Sequence, residues 1–154
     1  LVAVLDEQPD CVIMAAAVAD FRPTTTSANK IKKALGTQNL ELEQTTDILA
    51  DLCGRRTPGD GPIMIGFAAE TTANINELVS LAQGKLTSKG ADLIIANNVN
   101  HGAIFGSEET EIHMVEDENF IGPIKGSKLD VAHAVVHRLS AMLKRVDFTA
   151  PSGT

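Results

Sequence analysis

The chain has 154 residues, of which 44% are hydrophobic and 21% are charged, a balance typical of one globular domain with a buried core. Its formal charge of -7 would repel a nucleic-acid backbone, and the lack of Trp and Tyr leaves little material for stacking on bases. We find no apolar run long enough for a membrane span, no signal-peptide start and only two cysteines, so we expect a cytoplasmic protein without membrane or nucleic-acid partners.

The first half of the chain alternates between apolar segments and polar loops. Residues 11–17, 63–69 and 93–96 are apolar almost throughout, which is typical of parallel strands covered by helices on both faces. Residues 20–36, rich in Thr, Ser, Asn and Lys, are predicted to form a loop, and residues 40–44 alternate like a half-exposed strand. Either Thr46 or Asp47 can cap a helix that ends near Arg55.

Two amphipathic helices are predicted further along the chain. The first has an apolar stripe from Ile75 to Leu86 and ends near Gly90. Residues 111–124 are expected to form a hairpin that turns near residues 116–118. The last helix is expected to start at Ser127, with Asp130 as its capping-box partner, and to bury one apolar stripe, namely Leu129, Ala132, Val136, Leu139 and Leu143.

Together these elements predict an α/β fold, with a mostly parallel sheet and an antiparallel hairpin addition. We find no internal repeat and no second domain. Residues 1–147 are therefore expected to form a single domain, followed by a tail at residues 148–154.

Polar residues follow the predicted parallel strands at their carboxyl ends, where ligands bind in open α/β sheets. Asp20 follows the first strand, Glu70 the second and Asn97 the third, so one rim should collect them. Asp20 can hold a hydrated divalent cation, and the lysines of the KIKK segment, which begins at Lys30, can attract phosphates. Asp20 could equally form a turn, and lysines in a polar loop are more often only solvated.

The sequence offers two further candidates. Lys85 and Lys89 are spaced i, i+4, so a polyphosphate could bridge their ammonium groups, although lysines near a helix C-terminus more often complement its dipole. Phe67 lies in an apolar strand, where a Phe is usually a core residue. Its small neighbours at positions 66 and 68–69 would leave room for a flat ring beside it.

The motifs AAAVADFRP, KIKK, TDIL, GFAAET and KLxxKGxDLIIAN, followed by the closing SK and helix, appear in this order along nearly the whole chain. As an ordered set they resemble the phosphopantothenate-cysteine ligase domain of coenzyme A biosynthesis, which in bacteria is commonly the carboxyl half of a bifunctional flavoprotein. The resemblance implies a Rossmann-like three-layer α/β/α fold and a homodimer. It also implies that the family's amino-terminal strand and glycine-rich motif are missing from this chain, and that FMN would belong to a separate decarboxylase domain.

The resemblance implies a ligase that joins 4'-phosphopantothenate to L-cysteine through an acyl-cytidylate. CTP, or ATP as in animal members, would be consumed with Mg²⁺, and CMP and pyrophosphate would be released. By motif, Lys30 would be catalytic, Asp20 would lie near the ribose or the cation, and Phe67 would line the base pocket. Lys85 and Lys89 would hold the triphosphate. The other nucleotide contacts would come from Ala15, Ala16, Thr46, Asp47, Ile48 and Leu49.

Two other functions remain open at this point. A nicotinamide-dependent reductase would suit a Rossmann-like fold, but the glycine fingerprint is absent. A non-catalytic CTP-binding or dimerisation module would use the same residues without turnover. The hairpin at residues 111–124 is a candidate exposed edge through which two copies could pair.

Overall fold

The computed structural model describes residues 3–30, 39–56, 61–99, 109–117 and 119–149. Within these ranges no helix combines the length and the apolar character needed to cross a membrane. The elements in chain order are α1 (Ala3–Asp6), β1 (Cys11–Met14), β2 (Phe21–Pro23), β3 (Leu42–Gln44), α2 (Ile48–Arg55), β4 (Ile63–Glu70), α3 (Ile75–Lys89), β5 (Leu93–Asn98), β6 (Glu109–Val115), β7 (Phe120–Ser127) and α4 (Lys128–Thr149).

The main sheet has five strands in the order β1-β4-β5-β6-β7. Strands β1, β4 and β5 are parallel, with Ile13 opposite Ile65 and Gly66 opposite Ile94. Strand β6 is antiparallel to β5, and β7 is antiparallel to β6, so every strand except β6 runs in the same direction. The prediction of a mostly parallel sheet with an antiparallel hairpin addition is confirmed.

Helices cover both faces of this sheet because alternate residues of its strands point to opposite sides. On one face, Met64 and Ala68 of β4 pack in the same cluster as residues of α2 and α3, including Leu52 and Leu78. On the other face, strand residues pack with α4 in a second cluster, whose buried members are Ile63, Ile65, Leu93, Ile95, Ile112, Met114, Val131, Val135 and Leu139. The three-layer α/β/α architecture is therefore confirmed.

The start of α4 matches the prediction, but most of its predicted apolar stripe is wrong. Ser127 and Asp130 form the expected capping box: the Ser127 N–H donates to Asp130 Oδ2 at 3.0 Å, and the Asp130 N–H donates to Ser127 Oγ at 3.2 Å. Leu129 and Val136 are 64% and 56% exposed, whereas a neighbouring stripe that shares Leu139 with the predicted one is buried, namely Val131, Val135 and Leu139. Both stripes are apolar at helical spacing, and contact with the sheet selects between them. The helix also continues to Thr149, into the predicted tail.

The predicted loop at residues 20–36 contains a strand. Residues Phe21–Pro23 form β2, which pairs antiparallel with β3 so that Phe21 lies opposite Gln44. The Arg22 side chain lies 2.7 Å from Glu43 across this small separate sheet. Strand β1 correspondingly ends at Met14 rather than at residue 17. Residues 31–36 of the predicted loop lie outside the described residues.

Candidate functional site

A cleft of about 770 Å³ opens beyond the end of β1, where the beginning of α2, strand β4 and helix α3 meet. Except for Lys30, every site residue predicted from the sequence lines it. These residues are Ala15, Ala16, Asp20, Thr46, Asp47, Ile48, Leu49, Phe67, Lys85 and Lys89. The structure therefore brings together side chains from four separate stretches of the sequence.

Lys30 is the exception among the predicted site residues. It is exposed to solvent at the end of the described segment 3–30 and does not line the cleft. The rest of the KIKK segment, residues 31–33, lies outside the described residues. The predicted catalytic role of Lys30 therefore rests on the motif alone.

The N-terminus of α2, which Asp47 caps, lies at the cleft. The Asp47 carboxylate accepts a hydrogen bond from the Ala50 N–H at 3.1 Å, as one of the two predicted caps should. Leu49, in the first turn of the helix, is buried and fixes this end of α2 against the sheet. A helix N-terminus held in this way presents free N–H groups and a partial positive charge, which together favour an anion.

Gly66 explains why α2 can lie so close to the sheet. A Cβ atom at Gly66 would fall 2.5 Å from Leu49 Cδ2 and 3.0 Å from Ile94 Cδ1. Gly66 therefore makes room for Leu49. It does not make room for a ring beside Phe67, because consecutive strand residues face opposite sides of the sheet. Phe67 itself is 45% exposed and lines the cleft rather than the core.

Both lysines of α3 are paired with carboxylates at the cleft. Lys85 Nζ lies 2.5 Å from Glu70 Oε1, and Lys89 Nζ lies 2.5 Å from Asp47 Oδ2. Partial burial alone would raise the pKa of Asp47, but the hydrogen bonds from Lys89 and from the Ala50 N–H outweigh it and lower the pKa. Glu70 was expected only as a polar residue of the rim, and its pairing with Lys85 could not be read from the sequence.

Thr45 is a second contribution that sequence reasoning missed. Its N–H donates to the Asp20 carbonyl at 2.9 Å, and its hydroxyl donates to the Ala19 carbonyl at 2.5 Å. These bonds join the chain after β1 to the segment before α2 and so shape the cleft beside the Asp20 side chain. The residue shows no distinctive sequence signal, because its partners lie 25 residues away or more.

Asp20 lines the cleft and is exposed to solvent. In the part of the chain that the structure describes, no group of three His, Cys, Asp or Glu residues could hold a metal ion. The predicted role of Asp20 near a cation stays a prediction.

The family model described as "DNA/pantothenate metabolism flavoprotein C-terminal domain" matches residues 2–143. The chain belongs to this family. The solved structure of the C-terminal domain of a protein titled "Coenzyme A biosynthesis bifunctional protein CoaBC" agrees, with 31% identity and a TM-score of 0.67 over 94% of this chain and 60% of that chain. The resemblance recognised from the motifs is thereby confirmed at the level of the family and its fold.

Two curated relatives of this flavoprotein C-terminal domain carry the same printed name. The Bacillus subtilis (strain 168) "Coenzyme A biosynthesis bifunctional protein CoaBC" is 39% identical over 139 residues, which cover 88% of this chain and 32% of that protein. The Mycolicibacterium smegmatis protein of that name is 35% identical over 152 residues, covering 94% of this chain and 37% of that protein. The chain thus spans about a third of the length of these curated relatives.

Proposed function

We propose that this domain is the phosphopantothenate-cysteine ligase part of a coenzyme A biosynthesis protein, using CTP to join 4'-phosphopantothenate to L-cysteine. The observation that carries the proposal is the cleft itself, which gathers Lys85, Lys89, the N-terminus of α2 and Asp20 around one space. Its volume lies within the range of small-molecule sites, about 300 to 1,000 Å³. Membership of the family and the printed names of the relatives support the pathway.

In the proposed first step, the carboxylate of phosphopantothenate attacks the α-phosphorus of CTP, a P–O bond breaks, and pyrophosphate leaves. In the second step, the cysteine amine attacks the acyl carbonyl of the resulting acyl-cytidylate, CMP leaves, and the amide loses a proton. Neither step needs a covalent bond to the enzyme. No His, Cys or Ser lines the cleft among the described residues, in keeping with a mechanism that relies on position and charge.

The residues of the cleft would act mainly on the leaving group. Negative charge develops on the phosphate oxygens during displacement, and the ammonium groups of Lys85 and Lys89 can stabilise it. The N–H groups at the start of α2 can donate hydrogen bonds to further phosphate oxygens. Mg²⁺ supplies additional charge neutralisation when bound with the nucleotide. Asp20 would orient the Mg²⁺ ion, and Phe67 would contact the base of the nucleotide.

The proposed protein is larger than this chain and self-associates. We propose that a flavin decarboxylase domain with FMN accompanies the ligase domain, as the word "bifunctional" in the names of the relatives supports.

We also propose a homodimer that pairs through the hairpin at residues 109–127. There β7 forms an edge of the main sheet and leaves Phe120 and Ile121 exposed. A monomer by light scattering across micromolar concentrations would contradict this pairing. The expected cytoplasmic location stays a prediction.

Pyrophosphate release tests the reaction. The complete polypeptide containing this chain should be mixed with CTP, Mg²⁺ and phosphopantothenate but no cysteine. The ligase proposal expects about one pyrophosphate for each site, followed by continuous turnover when cysteine is added. A nucleotide-binding module would bind CTP and release nothing, and a nicotinamide-dependent reductase would do neither. Replacing CTP by ATP in the same assay decides the nucleotide preference.

A further inference from the structure

Each cationic side chain of α3 in the cleft has its own carboxylate partner from a different element. Glu70 at the end of β4 holds Lys85, and Asp47 at the start of α2 holds Lys89, each with 2.5 Å between nitrogen and oxygen. The positive charge that would attract a polyphosphate is therefore neutralised by these two carboxylates. An incoming anion must compete with both carboxylates.

The two carboxylates are not equivalent. The Glu70 side chain is 20% exposed, its Oε1 atom is shielded from solvent, and within the described residues this oxygen has the ion pair with Lys85 but no hydrogen bond. Asp47 is 48% exposed, and its other oxygen accepts the Ala50 N–H whether or not Lys89 is present. Losing its lysine should therefore be more costly for Glu70 than for Asp47.

We propose that Glu70 and Asp47 are exchangeable counter-ions, which hold Lys85 and Lys89 until a triphosphate binds, yield them to it, and reclaim them as pyrophosphate leaves. The inference rests on the proposed function of the cleft as a triphosphate site. Both are positioning residues, because they act through the lysines and not on the reacting atoms. Their competition weakens the binding of polyphosphate and so keeps the released pyrophosphate from occupying the site.

The test measures the binding of inorganic pyrophosphate to the complete polypeptide by calorimetry, at fixed ionic strength and Mg²⁺ concentration. Glu70→Gln and Asp47→Asn remove one competing charge each, and Asn remains a good helix cap. We expect Glu70→Gln to lower the dissociation constant by about threefold or more and Asp47→Asn by a smaller factor, the scale expected when a partly exposed ion pair no longer has to be broken.

Two matched controls remove the same charge outside the cleft. Glu111→Gln breaks the pair with Lys125, whose atoms are 2.7 Å apart, and Asp51→Asn breaks the pair with Arg55, whose atoms are 2.9 Å apart. Neither control should change pyrophosphate binding.

In steady-state assays Glu70→Gln should also lower the KM for CTP and make pyrophosphate a stronger inhibitor. Structural damage alone would instead raise the KM for CTP.

The outcomes separate the two proposals. If wild type binds pyrophosphate and folded Glu70→Gln and Asp47→Asn bind it equally or more weakly, the counter-ion role is overturned and the ligase proposal stands. If neither wild type nor the variants bind pyrophosphate or CTP, the polyphosphate site itself is overturned, and the counter-ion role with it. Tighter binding by Asp47→Asn supports the role even if Glu70→Gln fails to fold.

Discussion

Asp47 and Lys89 connect two helices across the mouth of the cleft, with Asp47 Oδ2 2.5 Å from Lys89 Nζ. The other oxygen of the same carboxylate accepts the Ala50 N–H and caps α2. One side chain therefore fixes the helix N-terminus and a lysine of the proposed phosphate site in a common geometry. The two features can be separated experimentally, because Asn can cap a helix but cannot form the ion pair.

The stability that the Asp47 charge contributes should depend on pH. The pKa of this carboxyl is lowered because the hydrogen bonds from Lys89 and Ala50 outweigh the effect of partial burial. For a lowered pKa, the contribution is complete above the ordinary Asp value of about 4 and is lost as the pH falls through the lowered value. Urea unfolding from pH 7 to pH 2 should therefore show a constant difference between wild type and Asp47→Asn above about pH 5, and a shrinking one below about pH 4. A difference that grows on acidification would contradict this assignment.

Removing either cleft lysine should weaken nucleotide binding more than it affects folding. Lys85→Ala and Lys89→Ala each delete one ammonium group that is partly exposed in the cleft. We expect the dissociation constant for CTP to rise by about tenfold in each case, as for the loss of one charge-assisted contact. Calorimetry on the complete polypeptide provides the measurement. Lys125→Ala, on the hairpin, is the control, and equal affinities in all four proteins would return both lysines to the role of surface residues.

Lys30→Gln tests the part of the site that rests on the motif alone. Since Lys30 is solvent-exposed, its replacement should leave the free energy of unfolding nearly unchanged. If it supplies a fixed positive charge to the transition state, turnover should fall by about 100-fold or more. The assay is pyrophosphate release with all substrates present, and Lys128→Gln, at the start of α4, is the matched control. A normal rate in Lys30→Gln would remove this residue from catalysis.

The sequence predicts the local features of this fold well, and its long-range pairings poorly. The bounds of α3, its end at Gly90 and the Ser127–Asp130 capping box all follow from residues within one or two helical turns of each other. Strand β2 was predicted as loop because its partner β3 lies about 20 residues further on, and three residues carry too little pattern to show the pairing.

The site could be predicted in the same uneven way. The residues that line the cleft were found because motifs mark them and because parallel strands end at one edge of a sheet. The carboxylate partners of Lys85 and Lys89 were not found, since a charged side chain gives no sign of which opposite charge it will meet. The stripe of α4 shows the same limit: two apolar faces satisfied the helical period, and only packing chose between them.

Arg56 is a structural residue that no motif indicated, and its loss should be costly. Its guanidinium pairs with Asp92 and donates to the carbonyls of Pro62 at 3.0 Å and Gly90 at 2.7 Å, while Asp92 also accepts the Met64 N–H at 2.7 Å. These bonds join the end of α2 to the beginnings of β4 and β5. Arg56→Ala should lower the free energy of unfolding by about 2 to 4 kcal/mol, because a partly buried carboxylate loses its partner.

The neighbouring arginine is the control for this prediction. Arg55 forms an exposed i, i+4 pair with Asp51, and Arg55→Ala should lower the free energy of unfolding clearly less than Arg56→Ala in the same urea titration. Similar losses for the two variants would show that the Arg56 network contributes no more than a surface pair.

Gly66 links the packing of the core to the shape of the cleft. A Cβ at this position would meet Leu49 Cδ2 at 2.5 Å, and Leu49 is the buried residue that seats the first turn of α2. Gly66→Ala should therefore lower the free energy of unfolding by about 1 to 3 kcal/mol through overpacking, and weaken CTP binding by moving the helix N-terminus. Gly84→Ala is the matched control, because its Cβ would meet nothing within 4 Å and alanine favours a helix.

A double-mutant cycle identifies the contact responsible. Leu49→Ala alone should destabilise the domain by creating a cavity, but in combination with Gly66→Ala it removes the clash. The double variant should therefore lose less free energy of unfolding than the sum of the losses in the two single variants. Additive losses would mean that the backbone around Gly66, and not the Leu49 side chain, resists the added methyl group. The affinity for CTP should follow the same coupling, since the position of Leu49 decides where the N–H groups of α2 point.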